Sequence, residues 1–183
     1  MDQVFAPWRI EWVERPQENP EIDECVFCEL PELGADREYH VLARSEHAFV
    51  LLNNYPYNPG HAMVIPHQHT GEYRDLDGDV LLDHAHLKQR TIDALETALD
   101  PDAFNTGMNL GGPVAGGSID DHLHTHVVPR WEGDTSFMAV ISETKVIVEA
   151  IEDTYDRVHE AFAAQDGTRV ESGEDAVVVE RLP

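Results

Sequence analysis

The chain has 183 residues, 42% of them hydrophobic, which predicts one globular domain with a core of its own. Its 36 acidic residues against 12 basic ones give a formal charge of −24, and such a surface repels nucleic-acid backbones and anionic membranes. We therefore expect neither a nucleic-acid partner nor a membrane partner. Acidic, lysine-poor chains suit a cytoplasm kept at very high salt, where charge repulsion is screened, so we also expect a halophilic host.

The N-terminal part of the chain carries no membrane or export signal that we can identify. No apolar run approaches the roughly 18 to 20 residues that a membrane span needs, and MDQVFAPWRI lacks a basic-then-apolar pattern. The sequence therefore predicts a cytoplasmic protein. Tryptophans and prolines among acidic residues predict an irregular arm over residues 1–24. Cys25 and Cys28 follow as C-x-x-C, which in a reducing compartment favours a metal or redox site over a structural disulfide.

Three short apolar runs in the first half of the chain predict strands, at Val41–Arg44, Ala48–Leu52 and His61–Pro66. The last two runs are joined by NNYPYNPG, residues 53–60, whose prolines and asparagines are turn formers. From about Asp75 to Leu99 apolar residues recur at helical spacing, which predicts the longest helix of the protein.

A glycine-rich loop follows the next predicted strand, Phe104–Asn109, and leads through Gly111, Gly112, Gly116 and Gly117 to Ser118. Backbone N–H groups in such a loop can approach a phosphate closely because no side chain intervenes. A flexible hairpin connection is the alternative interpretation. The position of the loop, just before a histidine-rich segment, favours phosphate binding.

That segment is DHLHTHVVPR, residues 121–130, which places His122, His124 and His126 at alternate positions of a predicted strand. Alternate residues of a strand share one face, so we expect the three imidazoles on the same side. The residues alone leave three explanations open: accidental clustering, a three-histidine metal site, and covalent catalysis by one ring.

The C-terminal third completes a single predicted domain. Helical periodicity runs from Ser142 to about Ala164. The acidic end is predicted to be either a disordered tail or an added edge strand. We thus expect an arm over residues 1–24, one domain over 25–164, and a tail over 165–183. Five further histidines have no motif and are interpreted as surface or structural residues: His40, His47, His84, His86 and His159.

Several segments of the chain resemble a known protein family. The segment His122-Leu-His124-Thr-His126-Val-Val128 resembles the motif of the histidine triad family, with Thr125 as the one non-apolar spacer. LLNNYPYNPGHAMVIPHQH and FNTGMNLGGPVAGGSIDDHLHTHVVPRWEGDTSFM also resemble members, in particular the branch of the single-domain diadenosine tetraphosphate phosphorylases and related hydrolases. The likeness covers about Trp8 to Tyr155. It implies an α+β fold, with an antiparallel sheet of about five strands, a long central helix and a C-terminal helix, and it implies a homodimer.

The resemblance also implies a chemistry. The middle histidine, His124, would attack the α-phosphorus of a nucleotide and form a nucleotidyl-histidine, which water or inorganic phosphate then breaks. His126 is placed to hydrogen-bond a phosphate oxygen. Implied substrate contacts are Asn53 at the ribose, Asn109 near the α-phosphate, His61 at the phosphate site, and the Gly116, Gly117 and Ser118 loop. Ser118 departs from the pattern, because it lies one residue further from the triad than in many relatives.

Several members of the family, and the related hexose-1-phosphate uridylyltransferases, hold a structural zinc ion, and the resemblance implies that its ligands here are Cys25, Cys28, His69 and His122. Two thiolates and two imidazoles satisfy tetrahedral zinc. The alternative is a pair of reduced cysteines, with His122 serving the active site alone. We expect magnesium to arrive with the polyphosphate substrate, because an anion approaching this acidic surface needs high salt or a chelated divalent ion.

The expected function is therefore nucleotidyl transfer from a dinucleoside polyphosphate, diadenosine tetraphosphate, by phosphorolysis. Hydrolysis of dinucleoside polyphosphates or of adenosine phosphoramidates is an alternative, since the triad does not encode water against phosphate as the acceptor. An alternative of another class is a nucleotide-binding or interaction protein that does not turn substrate over.

Overall fold

The computed structural model describes residues 25–110, 121–134, 150–172 and 175–180. The predicted arm, most of the glycine-rich loop with Gly116, Gly117 and Ser118, and residues 142–149 of the predicted C-terminal helix lie outside the described residues. The strands are β1 (Val41–Arg44), β2 (Ala48–Leu52), β3 (Ala62–Pro66), β4 (Ala103–Gly107), β5 (Thr125–Arg130), β6 (Thr168–Arg169) and β7 (Val177–Val179). The helices are α1 (Val26–Glu29), α2 (Gly78–Leu99) and α3 (Ile151–Ala163), with short 3₁₀ turns at Leu30–Glu32 and Tyr73–Asp75.

The strands of the described residues form one sheet in the order β4-β5-β3-β2-β1-β7-β6. The order confirms the expected α+β fold, with seven strands instead of about five. The two additional strands come from the C-terminal end of the chain, and β7 runs parallel to β1, so the sheet is not wholly antiparallel. The buried carboxylate of Asp36 holds this addition in place, since it accepts a hydrogen bond from the Ala176 amide (2.8 Å) and pairs with Arg44.

Strands β2 and β3 are buried at every position because both faces of the sheet are covered. On one face α2 and α3 pack through Leu87, Leu95 and Phe162 onto alternate strand residues such as Val50 and Val64. On the other face Phe27 and Leu30 cover Phe49, Met63 and Ile65. We call these the helix face and the knuckle face of the sheet, the knuckle being residues 25–28.

The long helix α2 ends at Leu99, as predicted, because Asp100 adopts a left-handed conformation (φ 49°) and Pro101 follows. It begins at Gly78, three residues later than expected. Residues 73–75 form a separate 3₁₀ turn, and Asp77 is extended before the helix. None of the helices in the described part of the chain is long and apolar enough to cross a bilayer.

Candidate active site

The triad lies at the start of the fifth strand. Regular pairing begins only at Thr125, so His122 and His124 precede the strand that the sequence predicted to contain them. His126 pairs opposite Met63, and directly paired residues share a face, so its side chain lies on the knuckle face. The ring of His124 follows at 4.9 Å from that of His126, and His122 continues the row toward the cysteines.

His124 is buried (8% exposed), and its Nδ1 lies 3.1 Å from the carbonyl oxygen of His122. A carbonyl only accepts, so Nδ1 carries the proton and Nε2 of the neutral ring keeps its lone pair. Burial lowers the pKa of His124, and the hydrogen bond to the His122 carbonyl opposes that shift only in part. The ring is therefore neutral near pH 7, with a nucleophilic nitrogen.

His61 lies behind His126 and is fully buried. Its Nε2 is 2.9 Å from Nδ1 of His126, and its Nδ1 is 3.1 Å from the backbone nitrogen of Tyr57. The Tyr57 ring stacks on His61 with centroids 4.8 Å apart and planes 17° apart. The family resemblance implies that His61 lines the phosphate site, and these contacts place its ring directly behind His126.

A four-residue cluster joins the knuckle to the triad. One ligand atom from each of Cys25, Cys28, His69 and His122 lies within 4.8 Å of all the others. Sγ of Cys25 is 3.2 Å from Nδ1 of His122, and Sγ of Cys28 is 3.1 Å from Nδ1 of His69. A tetrahedral zinc ion with ordinary bond lengths would hold sulfur and nitrogen about 3.5 Å apart, so the spacing fits.

A hydrogen bond on the side of the His122 ring away from the cysteines orients the ring toward this cluster. Its Nε2 lies 2.8 Å from the carbonyl oxygen of Pro66, so Nε2 donates and Nδ1 turns its lone pair toward the thiols. Burial lowers the pKa of His122, against a smaller effect of the Pro66 hydrogen bond. The same residue thus offers its ring to the cysteines and its carbonyl to His124.

Two expected substrate contacts lie at the margins of this site. Oδ1 of Asn53 accepts a hydrogen bond from the Tyr55 backbone amide (2.8 Å), so this side chain shapes the loop before β3, and the backbone amide of Asn53 donates to the carbonyl of His61 (2.8 Å). Asn109 is exposed two residues after the end of β4, where Gly107 pairs opposite His126. Strand pairing thus brings Asn109 toward the triad.

Two aromatic residues at the site were not among the sequence predictions. Phe27, between the two cysteines, packs edge-on against His122 (5.5 Å) and His124 (5.3 Å). Tyr57 supports His61. In the sequence, Phe27 is marked only by its position between the two cysteines and Tyr57 only by its position in the turn before β3. Neither position predicts a contact with a histidine.

Among the histidines without a motif, His84 is buried on the helix face, behind the triad strand. Its Nε2 lies 3.2 Å from the carbonyl of Val64 and 3.1 Å from Oγ1 of Thr125. Burial lowers its pKa. His84 therefore ties α2 to β3 and β5, while His86, two residues along, is exposed.

Comparison with known proteins agrees with this geometry. The HIT domain family model matches residues 35–133. The AP-4-A phosphorylase of Mycobacterium tuberculosis is 37% identical over 159 residues, which cover 84% of this chain and 80% of that protein.

Two solved structures share the fold. A Zn-bound histidine triad family protein from Mycobacterium smegmatis matches with a TM-score of 0.62 and 28% identity, over 76% of this chain and 94% of that one. A hypothetical histidine triad nucleotide-binding protein from Sulfolobus tokodaii matches with a TM-score of 0.60 and 27% identity, over 75% and 91% of the two chains. The three histidines lie in a row on one face, and the domain family model matches most of the described core. The chain therefore belongs to the histidine triad family.

Proposed function

We propose that the protein is an enzyme that cleaves diadenosine tetraphosphate by nucleotidyl transfer through His124. The observation that carries the proposal is the buried, neutral ring of His124, whose Nδ1–H bond to the His122 carbonyl leaves Nε2 as the nucleophile. A neutral imidazole attacks phosphorus well at pH 7, and the phosphoramidate it forms is labile enough to turn over.

The proposed reaction has two steps. Nε2 of His124 attacks the α-phosphorus, the bond from that phosphorus to the bridging oxygen breaks, and ATP leaves while AMP remains on the ring. An acceptor oxygen then attacks the same phosphorus and the P–N bond breaks. ATP needs no proton to leave, so the task of His126 is to donate a hydrogen bond to a phosphate oxygen and stabilise the charge that builds up there.

We propose inorganic phosphate as the acceptor, which makes the second product ADP. The support is the 37% identity to the AP-4-A phosphorylase of Mycobacterium tuberculosis. Incubation of the protein with diadenosine tetraphosphate, with and without phosphate, separates the possibilities. Phosphorolysis gives ADP and ATP only when phosphate is present. Formation of AMP and ATP without phosphate would show that the protein is a hydrolase.

We propose a zinc ion on Cys25, Cys28, His69 and His122. The support is the donor set and its spacing, together with the Zn-bound relative. Bound there, zinc would supply a cross-link between the knuckle and His122, two residues before the nucleophile, and the chemistry itself would remain with the histidines. Metal analysis of protein purified without chelator is the test, and less than about a tenth of an equivalent of zinc would contradict the site. Magnesium, on this proposal, belongs to the polyphosphate substrate.

We also propose a homodimer. In the described part of the chain β4 is an edge strand, paired only with β5, and most of its side chains are exposed. Light scattering on the eluting protein should give twice the chain mass of 20.6 kDa, and a mass equal to one chain would rule the dimer out.

A further inference from the structure

The hydrogen bonds behind His126 determine which nitrogen of its ring carries the proton. They start at the backbone amide of Tyr57, which lies 3.1 Å from Nδ1 of His61. An amide N–H only donates, so Nδ1 of His61 accepts and carries no proton. The neutral ring of His61 must then hold its single proton on Nε2.

The next contact passes this constraint to the triad. Nε2 of His61 lies 2.9 Å from Nδ1 of His126, so the N–H of His61 donates and Nδ1 of His126 accepts. The proton of a neutral His126 is therefore on Nε2. Protonation of His126 on Nδ1 would set two N–H groups against each other across this short distance, and His61 cannot rotate away because it is fully buried and stacked on Tyr57.

We propose that His61, oriented by the Tyr57 amide, is a positioning residue that fixes His126 as the Nε2–H tautomer. The effect is to give two adjacent rings opposite tautomers. His124 carries its proton on Nδ1, because it donates to the His122 carbonyl, and offers a bare Nε2. His126, 4.9 Å away, offers an Nε2–H donor. One ring suits attack on phosphorus, and the other suits a hydrogen bond to a phosphate oxygen.

The tautomer of His126 is inferred from the hydrogen bonds alone. The effect of that tautomer on catalysis rests on the proposed function. The buried position of His61 also allows a merely structural role, in which the ring only fills space beneath the loop. The two roles differ in what happens at His126 when the N–H of residue 61 is removed. A tautomer-fixing residue changes the protonation site of its neighbour, and a space-filling residue does not.

The test is imidazole ¹⁵N NMR on the ligand-free protein, which reports the protonated nitrogen of each ring directly. In the unmodified chain we expect His126 to be protonated on Nε2 and His124 on Nδ1. In His61→Leu, which fills the space of the ring with an apolar side chain and has no N–H, we expect a mixture of tautomers at His126. In His61→Gln, whose amide can reach the position of the imidazole Nε2 and donate, we expect the Nε2–H form to return. His86→Ala, at an exposed histidine outside the site, is the control and should change neither ring.

Kinetics supply the second readout. His61→Leu should lower kcat about tenfold or more with a smaller change in KM, and His61→Gln should recover a large part of the loss. A proton on Nδ1 of His126 in the unmodified chain, or an unchanged His126 tautomer in His61→Leu, would overturn the proposal. If His61→Leu does not fold, the unmodified chain still tests the proposal, because a proton on Nδ1 of its His126 overturns it. Failure of the unmodified chain to cleave diadenosine tetraphosphate would refute the proposed function and leave the NMR result standing.

Discussion

Nδ1 of His124 lies 3.1 Å from the carbonyl oxygen of His122, and Nδ1 of His122 lies 3.2 Å from Sγ of Cys25. The proposed nucleophile and the proposed metal cluster are thus separated by one residue and a single hydrogen bond. Phe27, whose ring touches both imidazoles, adds a second contact between the two sites. A substitution in the knuckle should therefore change the position of the His124 ring.

Replacement of His124 by Ala should abolish cleavage, because it removes the only atom proposed to bond to phosphorus. We expect kcat to fall at least about 10³-fold, with nucleotide binding weakened much less. His86→Ala, an exposed histidine on α2, is the matched control and should keep full activity. Wild-type turnover in His124→Ala would refute the catalytic assignment and show that a group other than His124 carries the reaction.

The pH dependence of the reaction should reflect the burial of the nucleophile. Burial lowers the pKa of His124 from 6.5, and the neutral ring is the reactive form. We therefore expect kcat/KM to stay level as pH falls from 8 to about 6.5 and to decrease only at lower pH, by about tenfold per pH unit. A decrease that begins above pH 7 would show that His124 is not held neutral by its surroundings.

The free energy of unfolding should also decrease as pH falls, because a second buried histidine, His84, is held neutral in the folded protein. The folded-state pKa of His84 lies below the unfolded value of 6.5, because burial disfavours the charged ring. Between those two values the unfolded chain binds more protons, so the free energy of unfolding falls as pH drops below 6.5 and levels off above it. Urea unfolding at pH 7.5 and 5.5 measures the difference. His84→Gln, which has no titrating ring, should show a smaller difference than the unmodified chain.

Cys28→Ser should release zinc and lower stability, because serine is a poor zinc ligand and the knuckle would lose its link to His69 and His122. The loss should be about 2.7 kcal/mol when free zinc is about 100 times its dissociation constant. Thermal unfolding with and without chelator measures it, and chelator should have no further effect on the variant. Equal unfolding temperatures in the two proteins, each with chelator and with zinc, would exclude a structural metal.

Gly60→Ala should destabilise the loop that carries His61. Gly60 has φ +75°, and an added Cβ would clash with Cδ1 of Leu99 and lie 3.3 Å from Cγ of Pro129. The leucine tip can move, whereas the left-handed backbone is strained for alanine, so we expect a loss of about 1 to 3 kcal/mol and lower activity. Gly78→Ala is the control. Its Cβ would meet nothing within 4 Å at the start of α2, so stability should stay level or rise by up to about 1 kcal/mol.

The charge of −24 predicts a protein that needs salt. Raising KCl from about 0.1 M to about 1 M shortens the screening length from about 10 Å to about 3 Å and weakens repulsion among exposed carboxylates. We expect the unfolding temperature to rise over this range. Full stability in a buffer without added salt would count against a halophilic host.

Local pattern alone defined several elements of this fold. The bounds of β1 and β2 match the sequence predictions, because short apolar runs end where polar or turn-forming residues begin. The end of α2 was predictable from Pro101, because a proline disfavours a helical conformation at the residue before it, here Asp100. The start of α2 was not, since residues 73–77 fit a helix or a turn equally well.

The site shows the same division. The sequence alone identified His122, His124 and His126 as one row, and it identified Cys25 and Cys28 as a C-x-x-C motif, because each set is a short-range pattern. The family likeness supplied the four-residue cluster, and the structure brings its ligand atoms together. Likewise Val177–Val179 was apolar enough for a strand, and only the contact of Asp36 with Ala176 shows how it is held beside β1.

What the sequence determined by itself is which residues could do chemistry; what the tertiary structure decided is the state each of them is in. A histidine has two nitrogens and one proton, and the partner from another segment chooses between them. The carbonyl of Pro66 makes that choice for His122, and the Tyr57 amide, through His61, makes it for His126. Such partners lie up to 65 residues away from the rings they orient, so no local pattern in DHLHTHVVPR can encode them.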